Sequence, residues 1–299
     1  MAYRFRRSES VQAGIQRMAR EQVDSGLAEL RDAGLDRDEA IHQIRKRCKK
    51  IRALLRLVRP AIGELYQQEN AFYRDLAGEL SRVRDAQSVI ETYEALLQRA
   101  QGDVDHLFTA VAAGLAERRT RIARGELDLD ARLAELEPAL EAARDRIAHW
   151  DVNAKGFDAL QGGLCKTYGR GRRALPQAYA KNTTEAFHEW RKRVKYHCYH
   201  LRILTPCWKP VLKPQRAALS RLADLLGDEH DLGVLREILI AEPQAFGGEH
   251  TVGAFLELLD SRREELRAEA RPRGERLLCE SPKALAHRLQ CYWTGWRGR

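Results

Sequence analysis

DRDEAIHQIRKRCKKIRALLRLVRP, residues 36–60, lies without a gap over NTTEAFHEWRKRVKYHCYHLRILTP, residues 182–206, when the chain is slid against itself by 146 positions. The pairing matches Glu-Ala, His, Arg-Lys-Arg, Lys, Leu-Arg and the closing Pro. Both stretches carry apolar residues at three- and four-residue steps, so each reads as one amphipathic helix. Asp36 and Asn182 are suitable N-caps, with Glu39 and Glu185 three positions on in a capping-box arrangement, and Pro60 and Pro206 stop the helices. The same offset sets Leu76-Ala77 on Leu222-Ala223 and Arg84-Asp85 on His230-Asp231. With a three-residue shift, Gly14-Ile15-Gln16-Arg17 falls on Gly163-Leu164-Cys165-Lys166. An internal repeat of this kind predicts two similar helical halves, about 1–150 and 151–299, within a single domain.

Outward from the repeat, the helical period continues, as in Leu76, Leu80, Val83 and in Leu133, Leu136, Leu140, Ile147. No segment alternates with period two, so the class is all-α. Gly34, Pro60, Gly102, Gly125, Gly156, Gly162-Gly163, Pro206, Pro210, Pro214, Gly247-Gly248 and Pro272 are expected to divide the helices.

At about 100° per residue, Ile41, Ile44, Cys48, Ile51, Leu55 and Val58 share one side of the first repeated helix, while His42, Arg45, Lys46, Lys49, Arg52 and Arg56 share the other. In the second, Phe187, Trp190, Val194, Leu201 and Leu204 form the packing side, opposite His188, Arg191, Lys192, Lys195, Tyr199 and Arg202. Fourteen residues separate His42 from Arg56, a rise of roughly 21 Å, enough to hold several successive anionic groups. A solvated face ordinarily interleaves Glu with Lys at i,i+4, but neither stripe contains a carboxylate. Like charges repeated in register therefore point to an anion-binding surface rather than to solvation alone. KTYGRGRRAL adds Lys166, Tyr168, Arg170, Arg172 and Arg173, whose guanidinium forks match phosphate oxygens. His42 and His188 can donate to phosphate oxygens and become stronger donors as pH falls through about 6.5.

Composition sets the outer limits. The chain has 299 residues, 52 Lys+Arg against 43 Asp+Glu, a net charge of +9 and 44% apolar residues, which together describe a folded basic domain. MAYRFRR is not followed by an apolar stretch and no window suits a spanning helix, so a cytoplasmic protein without membrane contact is expected. Six cysteines, Cys48, Cys165, Cys198, Cys207, Cys279 and Cys291, form no CxxC pair, which favours thiols over disulfides or a zinc site. The common nucleotide, acyl-transfer and metalloprotease motifs are missing. His197 and His200, at i,i+3 beside Cys198, lack the further ligands a metal needs, and no cofactor is expected. Asp85 and Asp231 read as organisers of neighbouring cations. Trp293 and Trp296, near the end of the chain, read as a packed cap.

These stretches, together with LSRVRDAQ and LADLLGDEHDLGVL and in this order, resemble the CHAD family, the conserved histidine α-helical domain, over nearly the whole chain. The resemblance implies two pseudo-symmetric four-helix bundles around a central basic channel that binds inorganic polyphosphate without catalysis, and a possible association with polyphosphate granules. By position it implies a lining of His42, Arg45, Lys46, Lys49, Arg52, Arg56, His188, Arg191, Lys192, Lys195 and Arg202, flanked by Tyr168, Arg170, Arg172 and Arg173. Tyr199 of the second stripe, Lys166 of the KTYGRGRRAL cluster and Arg17, which falls on Lys166 in the shifted match, complete the candidate set. Cys198 stands where a cation is expected opposite Arg52, which makes the second face the weaker one. No ExExK signature of the triphosphate-tunnel phosphatases that often accompany the family is present, so a stand-alone binder is implied.

Two other functions compete. A gap between facing bundles excludes duplex DNA, and the first basic face has no aromatic for stacking single-stranded bases, which leaves single-stranded nucleic acid as the alternative polyanion. An enzyme acting on polyphosphate needs magnesium held by carboxylates, and the repeats supply cations without a carboxylate cluster.

Overall fold

The computed structural model describes residues 3–80, 82–100, 105–125 and 129–298, and their side chains except those of 79, 82–85, 105, 123–125 and 129–134. Eleven α-helices and no strands make up the described residues. The first six are α1 (Val11–Arg31), α2 (Arg37–Leu57), α3 (Leu65–Glu79), α4 (Arg82–Arg99), α5 (Thr109–Gly125) and α6 (Leu129–Ala148). The remaining five are α7 (Asp158–Lys181), α8 (Thr184–Leu204), α9 (Lys209–Ala241), α10 (Gly248–Leu277) and α11 (Pro282–Arg297). The repeated stretches are α2 and α8, equal in length, and each runs into a 3₁₀ turn containing the proline that follows it, Arg59–Ala61 and Thr205–Cys207.

Caps fix the starts of these helices. The Ser10, Asp36, Thr183 and Ser281 side chains accept backbone N–H bonds at the starts of α1, α2, α8 and α11. The expected cap at Asn182 is displaced by one residue. Asn182 instead ends α7 in the left-handed region at φ 54°, a conformation asparagine tolerates, and Thr183 takes over the cap. Three expected dividers also fall inside helices: Gly162-Gly163 in α7, Pro214 in α9 and Pro272 in α10. Residues Leu76 to Asp85 also show where the halves part company. The first half breaks there between α3 and α4, whereas the second runs unbroken as the 33-residue α9. Among the described residues six helices precede Trp150 and five follow it.

α1 packs on α2 and α6, α2 on α3; correspondingly α7 packs on α8 and α11, α8 on α9 and α9 on α10. The α4–α5 pair leans the other way, onto α9 and α10, with Phe255 of α10 between Tyr93 and Phe108 at ring-centroid distances of 5.5 and 5.0 Å. One continuous apolar cluster therefore runs from Tyr3 to Trp293 through both halves. Ile41, Ile44, Cys48, Ile51, Leu55 and Val58 are all buried in it, as are Phe187, Trp190, Val194, Leu201 and Leu204. Trp293 is also buried, edge-on to Phe5 at 5.2 Å, so the C-terminal aromatics do pack as a cap.

Two glycines set where α7 lies. A methyl at Gly163 would collide with the carbonyl oxygens of Arg56 and Leu57, and one at Gly171 would touch Arg193 Cβ at 3.4 Å. A methyl at Gly162 would lie 2.7 Å from Pro60 Cγ. Eight residues apart, Gly163 and Gly171 share a face, so bare backbone lets α7 press on the end of α2 and on the middle of α8 together. Gly163→Ala is expected to lower stability by about 1–3 kcal/mol despite its better helix propensity. Urea unfolding followed by circular dichroism measures this; an unchanged or raised midpoint contradicts the close approach.

Candidate anion-binding site

The repeated helices meet where His200 Nε2 lies 3.0 Å from the Ala53 carbonyl oxygen. Ala53 and Tyr199 are equivalent at the repeat offset, so α2 and α8 meet near corresponding points. Around the C-terminal end of α2, cations arrive from separate elements. Arg52 and Arg56 belong to α2, Arg59 to the following turn, Lys166 and Arg170 to α7, and Arg193 to α8.

Two tyrosines and an asparagine hold the guanidinium groups of this cluster. Arg56 Cζ lies 4.1 Å from the Tyr196 ring centre and Arg59 Cζ 4.2 Å from that of Tyr66. Arg56 also donates to Asn70 Oδ1 at 2.6 Å and to the Arg52 carbonyl at 3.0 Å. Among the described residues, none of Arg56, Arg59, Lys166 and Arg170 has a carboxylate within ion-pair distance. Burial, and after it the charges of Arg52 and Arg193, lowers the proton affinity of Arg56. Burial and then Arg193, Arg59 and Arg173 do the same to Arg170, while Arg59 foremost lowers that of Lys166. These are the signs of positive charge gathered without its counter-charge.

The surface about α8 is different. Lys192 and Arg193 pair with Glu189, the latter at 2.7 Å, and Lys195 lies 3.6 Å from Asp224. Asp224, Asp228 and Asp231 form a row on α9, and Arg191 packs against Gly227 within it. Asp228 holds its proton more tightly than usual through burial and the neighbouring Asp231 and Asp224. The corresponding first-half positions are Gly78, Arg82 and Asp85, so this acidic row has no full counterpart there. The stripe that sequence shows free of carboxylates thus acquires them from Glu189 beside it on α8 and from Asp224 on the adjacent α9. His188 stacks on His230 with ring centres 4.1 Å apart, and burial followed by His230, Lys192 and Arg191 pushes it down to about 4.

Other expected site residues fall in different surroundings. His42, Arg45 and Lys49 are on α2, with Lys46 and Lys49 exposed. Arg202 is exposed near Tyr3 and Tyr199, with Lys50 close by. Arg17 is not brought to the cluster. Its guanidinium is bound to Glu9 at 2.7 Å and Glu21 at 3.0 Å and also donates to the Arg4 carbonyl, which makes it a brace for the N-terminal segment. Tyr168 is fully buried, with its hydroxyl 3.4 Å from the Leu277 carbonyl, so it supports α7 from within and presents nothing to a ligand. Arg172 lies on the Tyr168 side of α7, whereas Arg173 stays beside Arg170. Asp85 lies outside the described side chains.

Arg59, Arg193 and Lys50 escape a reading of single helices. Arg193 and its counterpart Arg47 lie between the two faces at 100° per residue, and Arg59 lies past the helix end. The repeated Arg-Lys-Arg was the available signal for Arg193; the approach of α7, which brings in Arg59, leaves no local signal. Lys50 is buried with Gln22 Oε1 at 3.1 Å, and burial with Arg47, Arg202 and Lys46 around it pushes its ammonium down to about 8. All six cysteines are free thiols, and no group of three or more His, Cys, Asp or Glu among the described residues is placed to hold a metal. No described helix is long and apolar enough to cross a membrane.

Residues 17–240 match the CHAD domain family, three quarters of the chain including both repeated helices and α7. The chain belongs to the CHAD family. This is a family associated with polyphosphate binding. No curated protein gives a significant sequence match. Within this CHAD domain, His197 and His200 have structural places. Both are buried, His197 packs edge-on to Tyr168 at 5.0 Å with neither nitrogen hydrogen-bonded, and His200 faces Ala53.

Burial pushes His197 down to about 3 and His200 to about 4, against 6.5 for the free side chain. Both must stay neutral in the fold while the unfolded chain takes up protons below pH 6.5. Stability is therefore complete above that value and falls as pH drops toward about 3–4. His197→Phe is expected to remove close to one proton from this pH dependence between pH 6 and 4, measured by urea unfolding across that range; an unaltered slope contradicts the neutral burial.

Proposed function

We propose that the protein binds inorganic polyphosphate along the charged faces of α2 and α8 and the adjoining side of α7, and that it does so without catalysing a reaction. The observation carrying this reading is the gathering of Arg56, Arg59, Arg170 and Lys166 from three elements, with no carboxylate partner among the described residues. Concentrated positive charge destabilises the fold unless an anion offsets it, and a polyphosphate supplies one negative charge per unit together with oxygens suited to guanidinium forks. Membership of the CHAD family supports the same ligand class.

In this reading the two halves are pseudo-symmetric bundles, and their charged faces line a central channel. The similar order of packing partners in the halves supports it: α1 with α2 and α6, α7 with α8 and α11. Binding is electrostatic, by charge-assisted hydrogen bonds and release of counterions. A cytoplasmic location, with recruitment to polyphosphate granules, is part of the proposal.

Calorimetric titration with long-chain polyphosphate is expected to give affinity that falls steeply with salt and exceeds that for single-stranded RNA at equal phosphate concentration. Lys46, Lys49, Arg191 and Lys195 changed together to Gln should lower affinity by about tenfold or more at low salt, with helicity retained. Gln is preferred to Glu because a carboxylate at Arg191 or Lys195 would face Asp224 and Asp228. Equal affinity for RNA would replace the proposal with a general polyanion binder, and release of orthophosphate by the pure protein would make it an enzyme.

A further inference from the structure

The two ends of the charged row on α2 are built differently. Along the row, cations follow one another on a single helix, an arrangement suited to successive units in the interior of a phosphate chain. At Arg56 the row meets α7. The helix ends at Leu57, the chain turns through Arg59–Ala61, and Gly162 and Gly163 seat α7 directly on that turn. Lys166 and Arg170 lie one and two turns beyond Gly163 on the same side of α7. They are electrostatic neighbours of Arg59, while Arg193 of α8 borders both Arg56 and Arg170. The cations here converge on a place instead of following a line.

Convergence suits a different part of the ligand. An interior unit of a polyphosphate has two non-bridging oxygens and one charge. A terminal unit has three such oxygens, and its second proton leaves near neutral pH, much as in a phosphate monoester. Guanidinium groups approaching from several directions can each take oxygens of the terminal group, whereas an interior unit is shielded on both sides by its neighbours. Stacking on Tyr196 and Tyr66, with the Asn70 bond, fixes Arg56 and Arg59 before any ligand arrives, so little side-chain freedom is lost on binding.

The geometry points to a socket for the terminal phosphate of a polyphosphate chain, formed by Arg56, Arg59, Lys166 and Arg170, with Arg193, held by Glu189 at 2.7 Å, at its edge. This rests on the polyphosphate reading above and adds to it a direction: one chain end lies at the α2–α7 junction and the interior runs back along α2 toward Lys46. Arg59, outside both charged stripes, becomes a specificity-determining residue for the chain end.

The test compares linear tripolyphosphate with cyclic tetrametaphosphate, a ring of comparable charge with no chain end, by calorimetry on the full chain at fixed salt and pH. The wild-type protein is expected to bind the linear compound about tenfold or more tightly. Arg59→Gln combined with Arg170→Gln should abolish that preference while leaving helical content unchanged. A companion titration on the wild type uses long-chain polyphosphate with both ends blocked as phosphoramidates, and needs no substitution. Blocking should weaken binding several-fold for chains short enough to be filled by one protein. Equal affinity for linear and cyclic compounds, preference retained in the folded double variant, or indifference to end blocking overturns the socket while tight long-chain binding leaves the polyphosphate reading standing. Failure of long-chain polyphosphate to bind at all overturns both.

Discussion

The charged surface depends on how closely α7 lies on the end of α2. Gly162, Gly163 and Gly171 remove the side-chain thickness that normally holds helices 8–10 Å apart, and the helix they release brings its own cations to those of α2 and α8. Had α7 packed at ordinary distance, Arg170 would be a surface cation in high-dielectric solvent, and Lys166 would stand farther from Arg59. In place Arg170 shares partly buried ground with Arg56, and burial followed by neighbouring cations lowers the proton affinity of both, while the exposed Lys166 is lowered foremost by Arg59. Tyr168, buried below, and the Tyr196 and Tyr66 rings beneath the guanidinium groups give this arrangement its rigid base.

Repetition of sequence has not produced repetition of electrostatics. The cations of α2 and α8 correspond one for one over most of their length, but the helices beside them differ. Gly78 stands where α9 has Asp224, and Arg82 where it has Asp228. Cys198 in place of a cation opposite Arg52 points the same way, and Glu189 pairs with Lys192 and Arg193. The half-buried His188, stacked on His230 and held neutral by its surroundings, adds no positive charge there near pH 7.

Much of this was legible in the chain, and the exceptions have local causes. Helical class, the two equivalent helices, their prolines and their buried faces follow from periodicity and from the match at 146 positions, because those features depend on residues within a few turns of each other. Asn182 was legible as a helix boundary; its side of the boundary was not, since asparagine suits an N-cap and a left-handed C-cap alike. Gly162-Gly163 reads as a break, and only the carbonyl groups of α2 opposite show why glycine stands inside a helix. For the site, cation identity on α2 and α8 was evident. The inward turn of Tyr168, the bracing of Arg17 by Glu9 and Glu21, and the convergence on Arg59 come from contacts distant in sequence, which no single helix face records.

The acidic row on α9 has a consequence for how such a surface exchanges ions with its solvent. Asp224, 3.6 Å from Lys195, and Asp228, near Arg191, act as covalently attached counterions for cations of α8, fixed in place and never released. On the proposed reading, a polyanion reaching that side would displace carboxylates tethered to the same molecule and free fewer mobile ions than beside α2. The entropy of such binding, which arises largely from ions set loose into solution, would thereby be drawn unequally from two helices of nearly identical charge.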